Sequence, residues 1–308
     1  NDVQITGLYT DTSSIISESI AGLIDPVLRD NGGDTKTHAL LFGSAAINAG
    51  NKQAATAAGL TTDQRGTGFA RIVDGAIDIG AVEFQTPFFL VDTSSDLDDG
   101  DYSPGNLSLR EAIQLANASS TTNTIVFDAV LSGQTILLST EILISDDLTM
   151  IGLGADQLTL DGAHNSRIFN IDDGSSVTEI SVSISGLTLT NGYEENGGAI
   201  LNRENLTLAD SHLTGNTASL DGGGIFNSNS TLTISNSTFT QNHSDHDGGA
   251  IKNDTGGSLT INSSTFHQNS SDNNGGTLAN SAAMYVHNST LSGNSTLHLG
   301  AGIYSGST

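Results

Sequence analysis

One recurring tetrapeptide constrains this chain more than any other feature. Gly197-Gly198-Ala199-Ile200 returns as Gly222-Gly223-Gly224-Ile225, Gly248-Gly249-Ala250-Ile251, Gly275-Gly276-Thr277-Leu278 and, in degenerate form, Gly300-Ala301-Gly302-Ile303. The steps are 25, 26, 27 and 25 residues. Two asparagine columns keep the same pace: Asn191, Asn216, Asn242, Asn269 and Asn294, then Asn202, Asn227, Asn253 and Asn280, with Ser305 in the next slot. Between them lie short alternating runs such as Leu206-Thr207-Leu208 and Leu232-Thr233-Ile234, each followed by a second run such as Thr238-Phe239-Thr240. Strands this short make no stable hairpin alone. Stacked as successive coils, each pairs in parallel with its copy above and below, about 4.8 Å away, and apolar side chains of one parity share a continuous interior. The fold expected is all-β: a right-handed parallel β-helix, with asparagine ladders along its axis and the glycine pair supplying positive φ at a corner.

Other solenoids fit poorly. Ankyrin and tetratricopeptide repeats need about 33 residues with helices, and propeller blades about 40 or more. Upstream, Thr124–Phe127, Thr135–Leu138, Ile142–Ile144, Leu148–Ile151, Leu158–Leu160, Ile168–Ile171 and Ser181–Ile184 read as irregular continuations, giving about eight coils and a rod about 35–40 Å long. The stretch 108–117 differs. Leu109, Ala112, Ile113 and Ala116 keep a helical period, and Ser108 with Glu111 has capping-box spacing. A short helix here is expected to cover the open first coil. The organisation expected is an irregular β cap module over 1–86 and a β-helix over 87–308.

Composition narrows the partners. The formal net charge is −25, which disfavours nucleic acid, whose binding needs a basic footprint. No cysteine is present, so there is no thiolate chemistry. No run is long and apolar enough to span a membrane.

Three groups of residues carry candidate chemistry. Asp96, Asp98, Asp99 and Asp101, with Gly100 for a bend, offer the oxygen density that calcium takes. The pairs Asp146-Asp147 and Asp172-Asp173 raise the alternative of glycoside hydrolysis, although both read as turn residues. His243 and His246 stand beside Asp245 and Asp247 in one loop, a metal-type set that is also ordinary turn chemistry. In the N-terminal part, Asp63, Arg65, Arg71, Asp78 and Glu83 are placed to pair as structural salt bridges.

Leu107-Ser108-Leu109-Arg110-Glu111-Ala112-Ile113 resembles the "CSLREAI" segment that opens many secreted bacterial β-helix proteins, with Leu107 in place of the usual Cys. The Gly-Gly-Ala-Ile and Phe-x-x-Asn repeats resemble those of polymorphic outer-membrane proteins. Residues 18–84, with Gly43–Gly50, Asp63-Gln64-Arg65-Gly66 and Asp78–Glu83, resemble the choice-of-anchor Q domain, which usually closes a β-helix. These resemblances imply an extracellular or cell-surface bacterial protein with a structural or adhesive role and no catalytic residues. A closing segment ahead of a new opening implies a tandem array or head-to-tail fibre, or else residues 1–85 folding back on their own solenoid; other copies of the chain and surface glycans are the partners expected. A carbohydrate-active β-helix enzyme is the alternative. An ice-binding solenoid is a third reading, although the regular Thr-x-Thr face that it needs is imperfect in the sequence.

Overall fold

The structure is a computed structural model that describes residues Ile24, Asn31, 35–40, 44–67, 69–73, 75–83, 88–119, 122–175 and 177–306. The chain divides into two compact units, Asn1–Pro87 and Phe88–Thr308.

The second unit is an all-β parallel solenoid of about seven turns. Four sheets run along it, and we number them I to IV in the order one turn visits them. A regular turn runs Asn205–Ala209 (I), His212–Thr214 (II), Thr217–Ala218 (III) and Ile225–Asn227 (IV), then re-enters sheet I at Thr231–Ser235. Sheet I has eight strands, sheets II and IV seven each, and sheet III five. The extra strand of sheet I is Phe88–Val91, which pairs in parallel with Asn123–Phe127 ahead of the first full turn.

Pairing is residue for residue. Leu206 and Leu208 lie over Leu232 and Ile234, which lie over Leu259 and Ile261, and all six are at most 1% exposed. In sheet II the inward column runs Leu213, Phe239, Phe266. The two phenyl rings stack with centroids 4.8 Å apart at 16°. Ile200, Ile225, Ile251 and Leu278 fill the column of sheet IV. Burying each such side chain contributes about 1.5–3 kcal/mol. A slip of one residue would turn every one of them outward, so the register is strongly specified.

The corners explain the glycine pairs, and they divide the labour within each pair. Only the first glycine has positive φ, from 65° to 72° at Gly197, Gly222, Gly248, Gly275 and Gly300. The second is needed for space. A Cβ on Gly223 would collide with the carbonyls of His243 and Gly249 on the next turn, and one on Gly249 with those of Gly276 and Ser270. The corner between sheets I and II is also left-handed, at Asp210, Asn236, Ser263 and Asn288.

A helix, Leu109–Asn117, interrupts the first turn. Ser108 caps it, and the full capping box with Glu111 is present. Its buried face of Leu109, Ala112, Ile113 and Ala116 packs on Phe88–Val91, Asn123–Phe127 and Ile142–Ile144, the strands that begin sheets I and IV.

In the first unit the described residues form a short helix, Lys52–Ala57, capped by Asn51, and isolated antiparallel bridges. Charged side chains tie it together. Asp63 pairs with Arg65 at 2.6 Å and Glu83 with Arg71 at 3.0 Å. The Asp63 carboxylate also accepts from the Glu83 amide at 2.8 Å, and Glu83 accepts from the Asp78 amide at 2.7 Å. Arg65 lies 4.1 Å from the centre of the Phe69 ring. Burial pushes the Glu83 carboxyl up to about 7, against the Asp78 amide bond and Arg71. The part of the choice-of-anchor reading on residues 18–23, 25–30, 32–34, 41–43, 68, 74 and 84 lies outside the described residues.

Candidate functional site

The two asparagine columns form two interior ladders. In one, Asn202, Asn227 and Asn253 each donate from Nδ2 to the Oδ1 of the next asparagine, at 2.7 Å every time, and the chain of bonds reaches Asn280. In the other, Asn216, Asn242 and Asn269 do the same at 2.9, 2.9 and 3.1 Å, ending at Asn294. Each Oδ1 of this second ladder also accepts a backbone N–H from the turn before, and each Nδ2 also donates to a carbonyl, as Asn242 does to Leu213 at 3.0 Å. The buried amides thus replace a strand where the chain bends, which is what an interior polar group requires.

Asn191 stands one residue outside this ladder. Sheet pairing sets Thr190 beside Thr214, so Asn191 aligns with Gly215 and its slot is filled by Gly192, whose N–H bonds Asn216 Oδ1 at 2.8 Å. Asn191 takes a left-handed φ of 53° instead and donates to Asp161 at 3.0 Å. The cause is a corner loop one residue shorter in that turn: four residues lie between Gly192 and Gly197, and five between Asn216 and Gly222.

The acidic loop before the helix is held by the helix. Asp96 pairs with Arg110 at 2.9 Å and accepts from Ser139. Asp98 accepts from Gln114, Asp99 from the Asp101 amide, and Asp101 from Ser103. Arg110 also donates to the carbonyls of Thr140 and Glu141. Glu111 accepts from the amides of Asp99, Gly100 and Ser108. The residues of the Ser-Leu-Arg-Glu-Ala-Ile segment therefore each have a visible task. Asp96, Asp98, Asp99 and Asp101 face separate partners, and no three of them converge as ligand atoms within 4.8 Å.

The carboxylate pairs behave likewise. Asp147 accepts from the Ser181 amide and Asp146 from the Asp147 amide. Asp172 accepts from Gly174 and pairs with Arg203, while Asp173 accepts from Ser175.

Three groups of side chains do converge among the described residues: Asp172, Asp173 and Glu204; Asp221, His246 and Asp247; and His243, Asp245 and Asp272. The first is a backbone staple, since Glu204 accepts from the amides of Asp173 and Ile180. The second is a closed network. His246 Nδ1 lies 2.7 Å from Asp221, and Asp247 takes Lys252 at 3.1 Å with donors from Asn273 and Asn274. Burial raises the Asp247 carboxyl, but the Lys252 ammonium and these bonds outweigh it and hold it below its ordinary value. The loop of His243 and His246 was visible in the sequence. The contributions of Asp221 and Asp272 appear only once the turns are stacked.

Outward columns of hydroxyls run along two sheets. On sheet I, Thr124, Thr149, Ser183, Thr207, Thr233 and Thr260 align turn by turn. On sheet II, Thr135, Thr159, Thr238, Thr265 and Thr290 share an outward column, interrupted by His212 and by Thr188, which is buried and donates its hydroxyl to Ala155 O. No helix among the described residues is long and apolar enough to cross a membrane.

Residues 236–254 match the Chlamydia polymorphic membrane protein repeat. That span holds a left-handed corner at Asn236, the stacked Phe239, both ladder asparagines of one turn, Asn242 and Asn253, and the pair Gly248-Gly249. The matched residues are those that make one turn stack on the next. No curated protein and no solved structure matches the chain.

Proposed function

We propose that the chain is a stretch of a bacterial cell-surface or secreted solenoid with a structural and adhesive task, which presents its outward hydroxyl columns to surface glycans. The repeat match and the parallel solenoid support a surface repeat protein of this kind. The observation that carries the adhesive part is the pair of Thr-rich columns that keep their register through successive turns. Hydroxyls held in register on a parallel sheet offer donors and acceptors to a sugar polymer at little ordering cost. The structural part is supported by the use of the paired carboxylates as backbone caps. Purified protein incubated with beads carrying bacterial or algal polysaccharide tests this reading. Saturable binding is expected, weakened by combined Thr207→Val, Thr233→Val and Thr260→Val, with no new reducing ends or unsaturated uronates. Release of either product would favour the enzyme reading instead.

A further inference from the structure

We propose that His243, Asp245 and Asp272 form a three-ligand site for a divalent transition-metal ion, with zinc as the reference case, that clips two successive turns of the solenoid together. One ligand atom from each lies within 4.8 Å of the others. His243 Nε2 is 3.2 Å from Asp245 Oδ1, and two ligands of one tetrahedral zinc stand about 3.3 Å apart, given metal–ligand bonds of about 2.0–2.1 Å. Asp272 comes from the following turn. All three backbones are anchored in the parallel ladder: His243 N–H on Asn216 O at 2.9 Å, Asp245 on Ala218 O at 2.9 Å, and Asp272 on Ser244 O at 3.0 Å. The backbone positions that carry the ligands are therefore fixed before any ion arrives.

Two details separate this cluster from its neighbours. Ser270 Oγ lies 2.9 Å from His243 Nδ1. A partner on one ring nitrogen fixes the ring and directs the other toward an ion. The two carboxylates also differ from those of Asp221 and Asp247, which the chain's own amides and Lys252 occupy. Among the described residues, no lysine or arginine pairs with Asp245 or Asp272, and two like charges brought this close favour a cation between them. One imidazole with two carboxylates suits zinc, nickel or copper better than calcium, which takes oxygen ligands alone. Three protein ligands leave a further position for water.

Titration calorimetry and thermal melting of the whole chain in chelator-stripped buffer test the proposal, with ZnCl2 and CaCl2 as probes. Saturable one-to-one zinc binding and a rise in melting temperature are expected, with no rise for calcium at equal concentration. His243→Ala and Asp272→Asn should each weaken zinc binding at least about tenfold, and Ser270→Ala about tenfold, while His246→Ala leaves it unchanged. Asp272 is exposed, so its variant keeps the fold. Absence of saturable zinc binding, equal loss in His246→Ala, or undiminished binding in Asp272→Asn would overturn the site.

Discussion

Asn242→Ala should be among the most damaging single truncations in the solenoid, although it removes no apolar surface. The side chain is fully buried and makes four bonds. Its Nδ2 donates to Leu213 O and Asn269 Oδ1, and its Oδ1 accepts the Asn216 N–H at 3.1 Å and Asn216 Nδ2 at 2.9 Å. In the alanine variant Asn216 Nδ2 still has Leu189 O, and Asn269 Oδ1 still has the Asn242 N–H. The Asn216 N–H loses this acceptor in a site closed to water. An unsatisfied buried donor costs about 1–3 kcal/mol, and each of the three other lost bonds about 1 kcal/mol, so the expected loss is about 4–6 kcal/mol. Asn294→Ala removes the same kind of rung where it is half-exposed. Water can replace its bonds to Asn269 and Phe266, and the loss should be about 1–2 kcal/mol. Guanidinium denaturation followed by far-UV circular dichroism measures both. Hydrogen exchange locates the opened turns, since stacked repeats need not unfold as one. A cost below about 1 kcal/mol for Asn242→Ala, or one no larger than for Asn294→Ala, would refute the ladder as a source of stability.

Three further outcomes follow from the same geometry. Gly249→Ala, whose Cβ meets backbone carbonyls of the next turn, should cost more than about 3 kcal/mol or prevent folding, whereas Gly215→Ala, left-handed at 64° but with no atom closer than 3.6 Å, should cost about 1–2 kcal/mol; melting temperatures compare them. Arg110→Ala frees Asp96 and two carbonyls and should lower the melting temperature. Glu83 has a folded pKa of about 7, raised from 4.5 by burial, so the folded unit binds a proton that the unfolded chain gives up first. Its stability should therefore fall as pH rises from about 4.5 to 7, by at most about 3 kcal/mol. In Glu83→Gln this slope disappears, as pH-dependent denaturation would show.

Much of the fold was legible in the sequence because a solenoid repeats its constraints. The glycine pairs, the ladder asparagines and the alternating strands recur together at steps of 25 to 27 residues, so chance agreement is excluded by the columns themselves. The shortened corner before Gly197 was not legible at Asn191, because a one-residue deletion leaves the spacing from Asn191 to Asn216 looking regular. The sequence also made each glycine pair look conformational. That the second glycine answers to a carbonyl on another turn depends on contacts about 26 residues away, which local pattern does not encode. For the candidate sites the limit was the same. Asp96, Asp98, Asp99 and Asp101 read as a cation loop along the chain, and the structure adds Arg110 and Ser139 beside Asp96 and Gln114 beside Asp98, while Asp99 and Asp101 accept from residues two positions on. Asp272 looks like part of a polar turn until stacking brings it to His243.

The asparagine ladders also bear on mechanical load. Their bonds point along the axis, as do those of all four sheets, while the covalent chain winds around it. Tension between the ends of such a coil falls first on the outermost rung, and rungs give way in sequence instead of sharing the load in shear. Each release pays out one turn of about 26 residues. A tether built this way yields in small equal increments under a pull, and can rewind from the intact remainder once the pull is relaxed.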